Sequence, residues 1–169
     1  NLRSTKQIAQ LFGSLSGAVL KARGADGPPV RIVDVPAEDA VGHADTVVDQ
    51  LLDAGYEPGR VALLTTGRRH PVQVERVESV GYPGYWGEFL AGEDVFYGHV
   101  LGFKGLERSV VVLAVNGLRD AERAREMLYA GLSRARSLLV VVGPRSLVVE
   151  HGGEGVARRL DAAQDITDA

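Results

Sequence analysis

The sequence predicts an α/β domain with a mainly parallel sheet and helices on both faces. Segments with the periodicity of amphipathic helices alternate with short apolar runs along most of the chain. The apolar runs are continuous, which is typical of strands buried on both faces of a parallel sheet. Hydrophobic residues make up 45% of the 169 residues, enough to bury the core of one domain.

The first part of the chain predicts two helices and two strands. Apolar side chains recur at helical spacing over residues 5–23, and a β-branched run at 30–35 predicts a strand. Residues 37–54 carry alanine, valine and leucine on one helical face. The run at 61–65 is almost wholly apolar and predicts a second, buried strand.

The signal weakens over residues 67–94, where glycines, Pro83 and aromatic residues cluster. We expect an irregular insertion there, with at most one short element at 72–80. Regular elements then return: strands at 95–100, 109–115 and 138–142, a helix at 119–132 and a last helix at 155–163. The predicted domain covers residues 1–150, and residues 151–169 form a terminal helix and a polar tail.

Composition excludes several classes of protein. The net charge is −3, so contact with nucleic acid would need a local patch of positive charge. Cysteine is absent, which excludes disulfides and thiolate metal sites, and no apolar run is long enough to span a bilayer. We therefore expect a cytoplasmic protein with no membrane partner. The four histidines lack zinc-binding spacing, so no metal site is expected.

Phosphate-binding motifs are missing. None of the three lysines stands in a Gly-Lys-Ser/Thr sequence, and no Gly-x-Gly-x-x-Gly fingerprint occurs. No complete catalytic constellation is present, and the chain begins at Asn1 without a methionine. We expect it to be a piece of a longer protein.

Three segments carry the remaining signal. They are Asn-Leu-Arg-Ser-Thr-Lys-Gln-Ile at residues 1–8, Lys-Gly-Leu-Glu at 104–107 and Tyr-Ala-Gly-Leu-Ser-Arg-Ala-Arg at 129–136. Each alone fits a surface turn or a helix end, where arginines favour the negative end of the helix dipole.

Together, their order and spacing resemble the second RecA-like domain of superfamily 1 helicases of the UvrD/Rep/PcrA type. The segments resemble motifs IV, V and VI, and the resemblance runs from residue 1 to about residue 143. Bacterial members with a nuclease-related domain are the most similar. The resemblance implies a RecA-like three-layer fold.

It also implies roles for individual residues. ATP and Mg²⁺ would be bound mainly by a P-loop lobe, the N-terminal RecA-like lobe of the same chain. Arg134 and Arg3 would reach the γ-phosphate from across the cleft, where a planar, always charged guanidinium suits phosphoryl transfer. Glu107 would accept a hydrogen bond from the ribose, and Gly105 would let the backbone approach the nucleotide. Lys104 would steady this turn or contact the nucleic-acid backbone.

Four positions depart from the helicase pattern. Leu2 replaces a tyrosine, His99 a threonine, Leu101 a histidine that faces nucleic acid, and Arg108 an aromatic residue. The nucleotide side of the pattern is therefore kept, whereas the nucleic-acid side is altered.

Arginines and aromatic residues stand together in the segment 67–94. Arg68, Arg69, Tyr85 and Trp86 could hold phosphates and stack on unpaired bases of single-stranded DNA or RNA. The alternative is a loop that packs on its own aromatic side chains.

The leading hypothesis is an enzyme fragment, the C-terminal ATPase lobe of a superfamily 1 helicase or translocase. The alternative is a nucleotide-gated regulatory or interaction module without unwinding activity. Without the P-loop lobe the chain should neither hydrolyse ATP nor bind it tightly. Arg3, Glu107 and Arg134 should lie near one edge of the sheet as exposed, uncommitted side chains.

Overall fold

The computed structural model describes residues 31–103, 105–118, 121–132, 134–152 and 164–165. The helices predicted at 5–23 and 155–163 lie outside these residues, as do Arg3 and Lys104. The described elements, in chain order, are β1 (Arg31–Asp34), α1 (Ala40–Asp53), β2 (Val61–Thr65), α2 (Pro71–Ala91), β3 (Phe96–His99), β4 (Arg108–Ala114), α3 (Ala121–Leu132), β5 (Ala135–Gly143), α4 (Arg145–Gly152) and β6 (Gln164–Asp165). Short 3-10 turns precede α1 and β2, at Ala37–Asp39 and Pro58–Arg60.

The strands form one parallel sheet in the order β3-β2-β4-β5-β1-β6. Successive residues of a strand face opposite sides of the sheet. Leu63 accordingly packs in a core with α1, and Leu64 packs in a second core that includes residues of α2, α3 and α4. Helices therefore cover both faces, and the predicted α/β fold class is confirmed.

The expectation of an irregular insertion at 67–94 is wrong, because most of that segment is α2. His70 caps the helix: its Nδ1 accepts a hydrogen bond from the Val72 amide at 3.0 Å. The helix ends at Gly92, which has the left-handed conformation of a C-terminal cap (φ 63°). A kink at Gly81, with φ 71°, divides the helix. Because of the kink, the apolar residues of the two halves do not follow one continuous helical repeat. The sequence therefore shows no single amphipathic pattern over α2.

The C-terminal part also differs from expectation. Helix α4 follows β5 directly, and the Asp34 carboxylate at the end of β1 accepts a hydrogen bond from the Arg145 amide at 3.0 Å. The predicted boundary at 150 cuts through α4. Within the predicted tail, β6 pairs in parallel with β1, with Gln164 opposite Arg31. Of the helices in the described part of the chain, none combines the length and apolarity that crossing a bilayer requires.

Candidate functional site at the two edges of the sheet

The starts of β4 and β5 lie side by side at the amino edge of the sheet. Arg108 is opposite Ala135 in the parallel register, and the Arg108 amide donates to the Arg134 carbonyl at 3.1 Å. Two segments that are distant in the sequence, 105–107 and 134–136, therefore meet at one place. Glu107 and Arg134 lie at the same edge of the sheet.

The guanidinium of Arg134 is half-buried and held by main-chain oxygens. Its Nε donates to the Ala130 carbonyl at 3.0 Å, and its Nη1 donates to the Leu106 carbonyl at 3.3 Å. The expectation of an exposed, uncommitted arginine is wrong for Arg134. These two bonds fix the side chain between the last turn of α3 and the residues that precede β4.

Glu107 is also engaged. Its Oε1 lies 3.6 Å from Nε of Arg136, and the two side chains are 32% and 55% exposed. The expectation of an uncommitted side chain is therefore wrong for Glu107 too. The turn before it depends on Gly105, whose φ of 86° is readily adopted only by glycine. No atom lies within 4 Å of where a Cβ would stand, so the requirement is conformational and not one of space.

At the opposite, carboxyl edge, Asn116 clamps the turn that follows β2. Its Oδ1 accepts from the Gly67 amide at 2.7 Å, and its Nδ2 donates to the Arg68 carbonyl at 2.9 Å. The Thr66 hydroxyl adds a bond to the Gly117 carbonyl at 2.8 Å. This clamp fixes the backbone that presents the exposed side chains of Arg68 and Arg69.

His99, at the end of β3, is tied into the same edge through both ring nitrogens. Nε2 lies 3.2 Å from the Thr66 carbonyl and Nδ1 lies 3.2 Å from the Leu101 amide. Because a carbonyl only accepts and an amide only donates, the proton is on Nε2. Burial lowers the pKa of His99 below its usual value, which favours this neutral form.

A groove of about 360 Å³ opens beside these residues. It lies at the carboxyl ends of β2 and β3, and ligands of parallel α/β sheets bind at that edge. The groove is lined by Thr66, Gly67, Arg69, Gln73, Tyr82, Tyr85, Trp86, His99, Leu101, Gly102, Arg123 and Met127.

Aromatic side chains of α2 fill the space between the helix and the sheet. Tyr85 is only 2% exposed; its ring packs against Trp86 and Phe96, and its hydroxyl donates to the Tyr97 carbonyl. Burial raises the pKa of this phenol. The prediction that Tyr85 stacks on bases is therefore wrong. Trp86 is partly buried against the same core but also lines the groove.

Arg108, which stands where the helicase pattern has an aromatic residue, packs on the same cluster. Its guanidinium lies 4.0 Å from the centroid of the Phe89 ring, and Nη2 donates to the Phe89 carbonyl. Arg108 therefore joins the end of α2 to the start of β4.

Sequence reasoning missed Gln73 and Asn116. An asparagine directly after a strongly apolar strand is a usable signal, because side chains at strand ends meet at one edge of a parallel sheet. Gln73 carries no such signal. Among the described residues, no three histidine, aspartate or glutamate side chains are grouped closely enough to hold a metal ion.

The fold is similar to that of a solved structure, the C-terminal domain of a possible DNA helicase from Lactobacillus plantarum WCFS1. The TM-score is 0.55 and the sequence identity 24%, and the match covers 98% of each chain. No protein-family model matches the sequence, and no curated protein matches it. The chain thus shares the fold of a C-terminal domain from a possible DNA helicase.

Proposed function

We propose that this chain is the C-terminal ATPase lobe of an ATP-dependent superfamily 1 helicase or translocase. The observation that carries the proposal is the meeting of two segments at the amino edge, where Arg134 is bonded to the Leu106 carbonyl beside Glu107. The likeness to the C-terminal domain of a possible DNA helicase supports it.

In this proposal Arg134 acts as an arginine finger. A guanidinium fixed by two main-chain oxygens loses little freedom when it meets a phosphate, which is the preorganisation that a transition-state contact needs. Its planar charge would stabilise the negative charge that spreads over the transferred phosphoryl group. Arg3 would supply a second cation.

The turn at 104–107 would bind the nucleoside part of ATP. Glu107 would accept a hydrogen bond from the ribose, and Arg136 stands beside it as a counter-charge. Gly105 sets the turn, and Lys104 would steady it or contact nucleic acid. In this proposal Mg²⁺ and most of the phosphate contacts belong to the N-terminal P-loop lobe, as the resemblance to superfamily 1 helicases implies.

The carboxyl edge would contact a single strand of DNA or RNA. Arg68 and Arg69 project from a turn that Asn116 holds in place, and they can bind phosphates. Trp86 lines the adjacent groove, where an unpaired base can stack on it.

The test is the ATPase activity of this lobe joined to a P-loop lobe, in the presence of single-stranded DNA. Arg134→Ala should lower turnover about 10³- to 10⁵-fold, as in other arginine fingers. Arg134→Lys should restore little, because an ammonium lacks the planar fork. Arg60→Ala, on the turn before β2, is the control and should retain most of the turnover. Near-normal turnover in Arg134→Ala, measured per folded molecule, would contradict the proposal.

A nucleotide-gated module without unwinding activity is the second candidate. One observation favours it: both ring nitrogens of His99 are engaged within the domain, and Leu101 stands where the pattern has a histidine that faces nucleic acid. A strand-displacement assay separates the two functions. ATP hydrolysis without strand displacement or translocation would favour the module.

A further inference from the structure

The groove at the carboxyl edge combines flat aromatic surfaces with positive charge. Tyr82 and Trp86 supply the aromatic surfaces, and Arg69 and Arg123 supply the charges. No acidic side chain is found among the described residues that line it, although the chain as a whole has a net charge of −3. The groove is therefore a local positive site suited to a ligand with an aromatic ring and a phosphate.

Gln73 adds a buried amide side chain to the groove. It lies on α2, is 6% exposed and lines the groove. Its buried side-chain oxygen has no hydrogen-bond partner among the described residues. A buried acceptor left unpaired is costly, so a ligand that supplies a donor here would gain binding free energy.

We infer that the groove binds one unpaired base of a single strand and that Gln73 selects a base with an exocyclic amine. This inference rests on the proposed contact of the carboxyl edge with single-stranded nucleic acid. The amine donates to Oε1 of Gln73, the ring stacks beside Trp86, and Arg69 or Arg123 contacts the flanking phosphate.

The preference follows from the base edges. Cytosine carries an amine at C4, whereas uracil, which has almost the same shape, carries an oxygen there. An oxygen facing Oε1 of Gln73 leaves two acceptors opposed and both unpaired. His99 does not compete for the base, since both of its ring nitrogens already have partners.

Trp86 is the single tryptophan of the chain, so its fluorescence reports on this groove. The 169-residue chain is titrated with oligodeoxycytidine and oligodeoxyuridine of equal length. We expect the cytidine strand to bind roughly tenfold more tightly, the scale of discrimination by one good base contact. Gln73→Met should remove that difference, because neither base then meets the amide oxygen. Equal affinities in the unsubstituted chain, or a preference for uridine, would overturn the inference.

Two further arms define the site and its ligand. Leu101 lines the groove and is 37% exposed. Leu101→Glu should weaken the binding of both strands, because it adds a negative charge to the groove. Arg60→Ala, on the turn before β2, should leave the affinity for both strands unchanged. Unchanged binding in Leu101→Glu would exclude the groove as the binding site of the strand. Deoxycytidine monophosphate should bind much more weakly than the strand, and equal affinity would refute a strand site.

None of these titrations needs ATP or the P-loop lobe. Equal binding of the two strands would reject the role of Gln73 and leave the proposed strand contact standing. Failure of both strands to bind would reject that contact itself.

Discussion

Arg134 and Leu106 are joined by a hydrogen bond of 3.3 Å from Nη1 to the main-chain oxygen, although 27 residues of sequence separate them. The bond links the end of α3 to the turn before β4. One guanidinium thus supports the fold and, in the proposed function, also contacts the γ-phosphate. Measurements on Arg134 must therefore separate stability from turnover.

Arg134→Ala should lower the free energy of unfolding by about 1–3 kcal/mol, because two carbonyl oxygens lose a charged donor. Urea denaturation of the chain measures this. Arg136→Ala is the control: its half-exposed ion pair with Glu107 should contribute less than about 1 kcal/mol. If both variants lost the same free energy of unfolding, the two hydrogen bonds of Arg134 would contribute no more to stability than an exposed ion pair does.

Gly59→Ala should destabilise the chain by about 1–3 kcal/mol or more, since it forces two backbone segments apart. A Cβ at Gly59 would stand 1.7 Å from the Gly92 carbonyl oxygen, where α2 ends. Gly42→Ala in α1 is the matched change, because nothing lies within 4 Å of its Cβ position. That variant should gain about 0.5–1 kcal/mol from helix propensity. Thermal melts compare the two, and a stable Gly59→Ala would contradict the close approach.

Stability should fall as the pH is lowered through the range in which His99 titrates. Burial lowers the pKa of His99 in the folded state, whereas the imidazole in the unfolded chain has a pKa of about 6.5. As the pH falls, the unfolded chain therefore takes up the proton before the folded chain does. The free energy of unfolding should therefore decrease from about pH 7 downward and level off below the folded pKa. Urea denaturation at a series of pH values between about 5 and 8 measures how the free energy of unfolding changes with pH. His99→Gln should flatten it, and an unchanged slope would assign the effect to other groups.

Tyr85→Phe separates a structural role from nucleic-acid contact. The variant loses the bond to the Tyr97 carbonyl inside the aromatic cluster, so the free energy of unfolding should fall by about 1–3 kcal/mol. Binding of oligodeoxycytidine should stay the same, because the phenol is buried and donates inward. Weaker strand binding in a folded Tyr85→Phe would show that the hydroxyl contacts the strand and does not serve only the bond to Tyr97.

Much of the sheet was determined by the sequence itself. Strand β2 was predicted with its observed bounds, and β4 within one residue at each end, because a strand buried on both faces must be apolar throughout. The meeting of Glu107 and Arg134 at one edge was also expected, from the resemblance of the two segments to helicase motifs. The strand predictions depend only on local composition, which the sequence itself supplies.

Only the tertiary structure decided what α2 and its aromatic residues do. The kink at Gly81 interrupts the helical repeat, so the sequence does not show the amphipathic pattern that would predict α2. The burial of Tyr85 depends on strands that lie elsewhere in the chain. The engagement of Arg134, the clamp at Asn116 and the unpaired oxygen of Gln73 are likewise relations between distant segments. Residue types and spacing specify which chemical groups are present. Hydrogen-bond partners and side-chain exposure are decided only when the chain folds, because both depend on atoms that lie far away in the sequence.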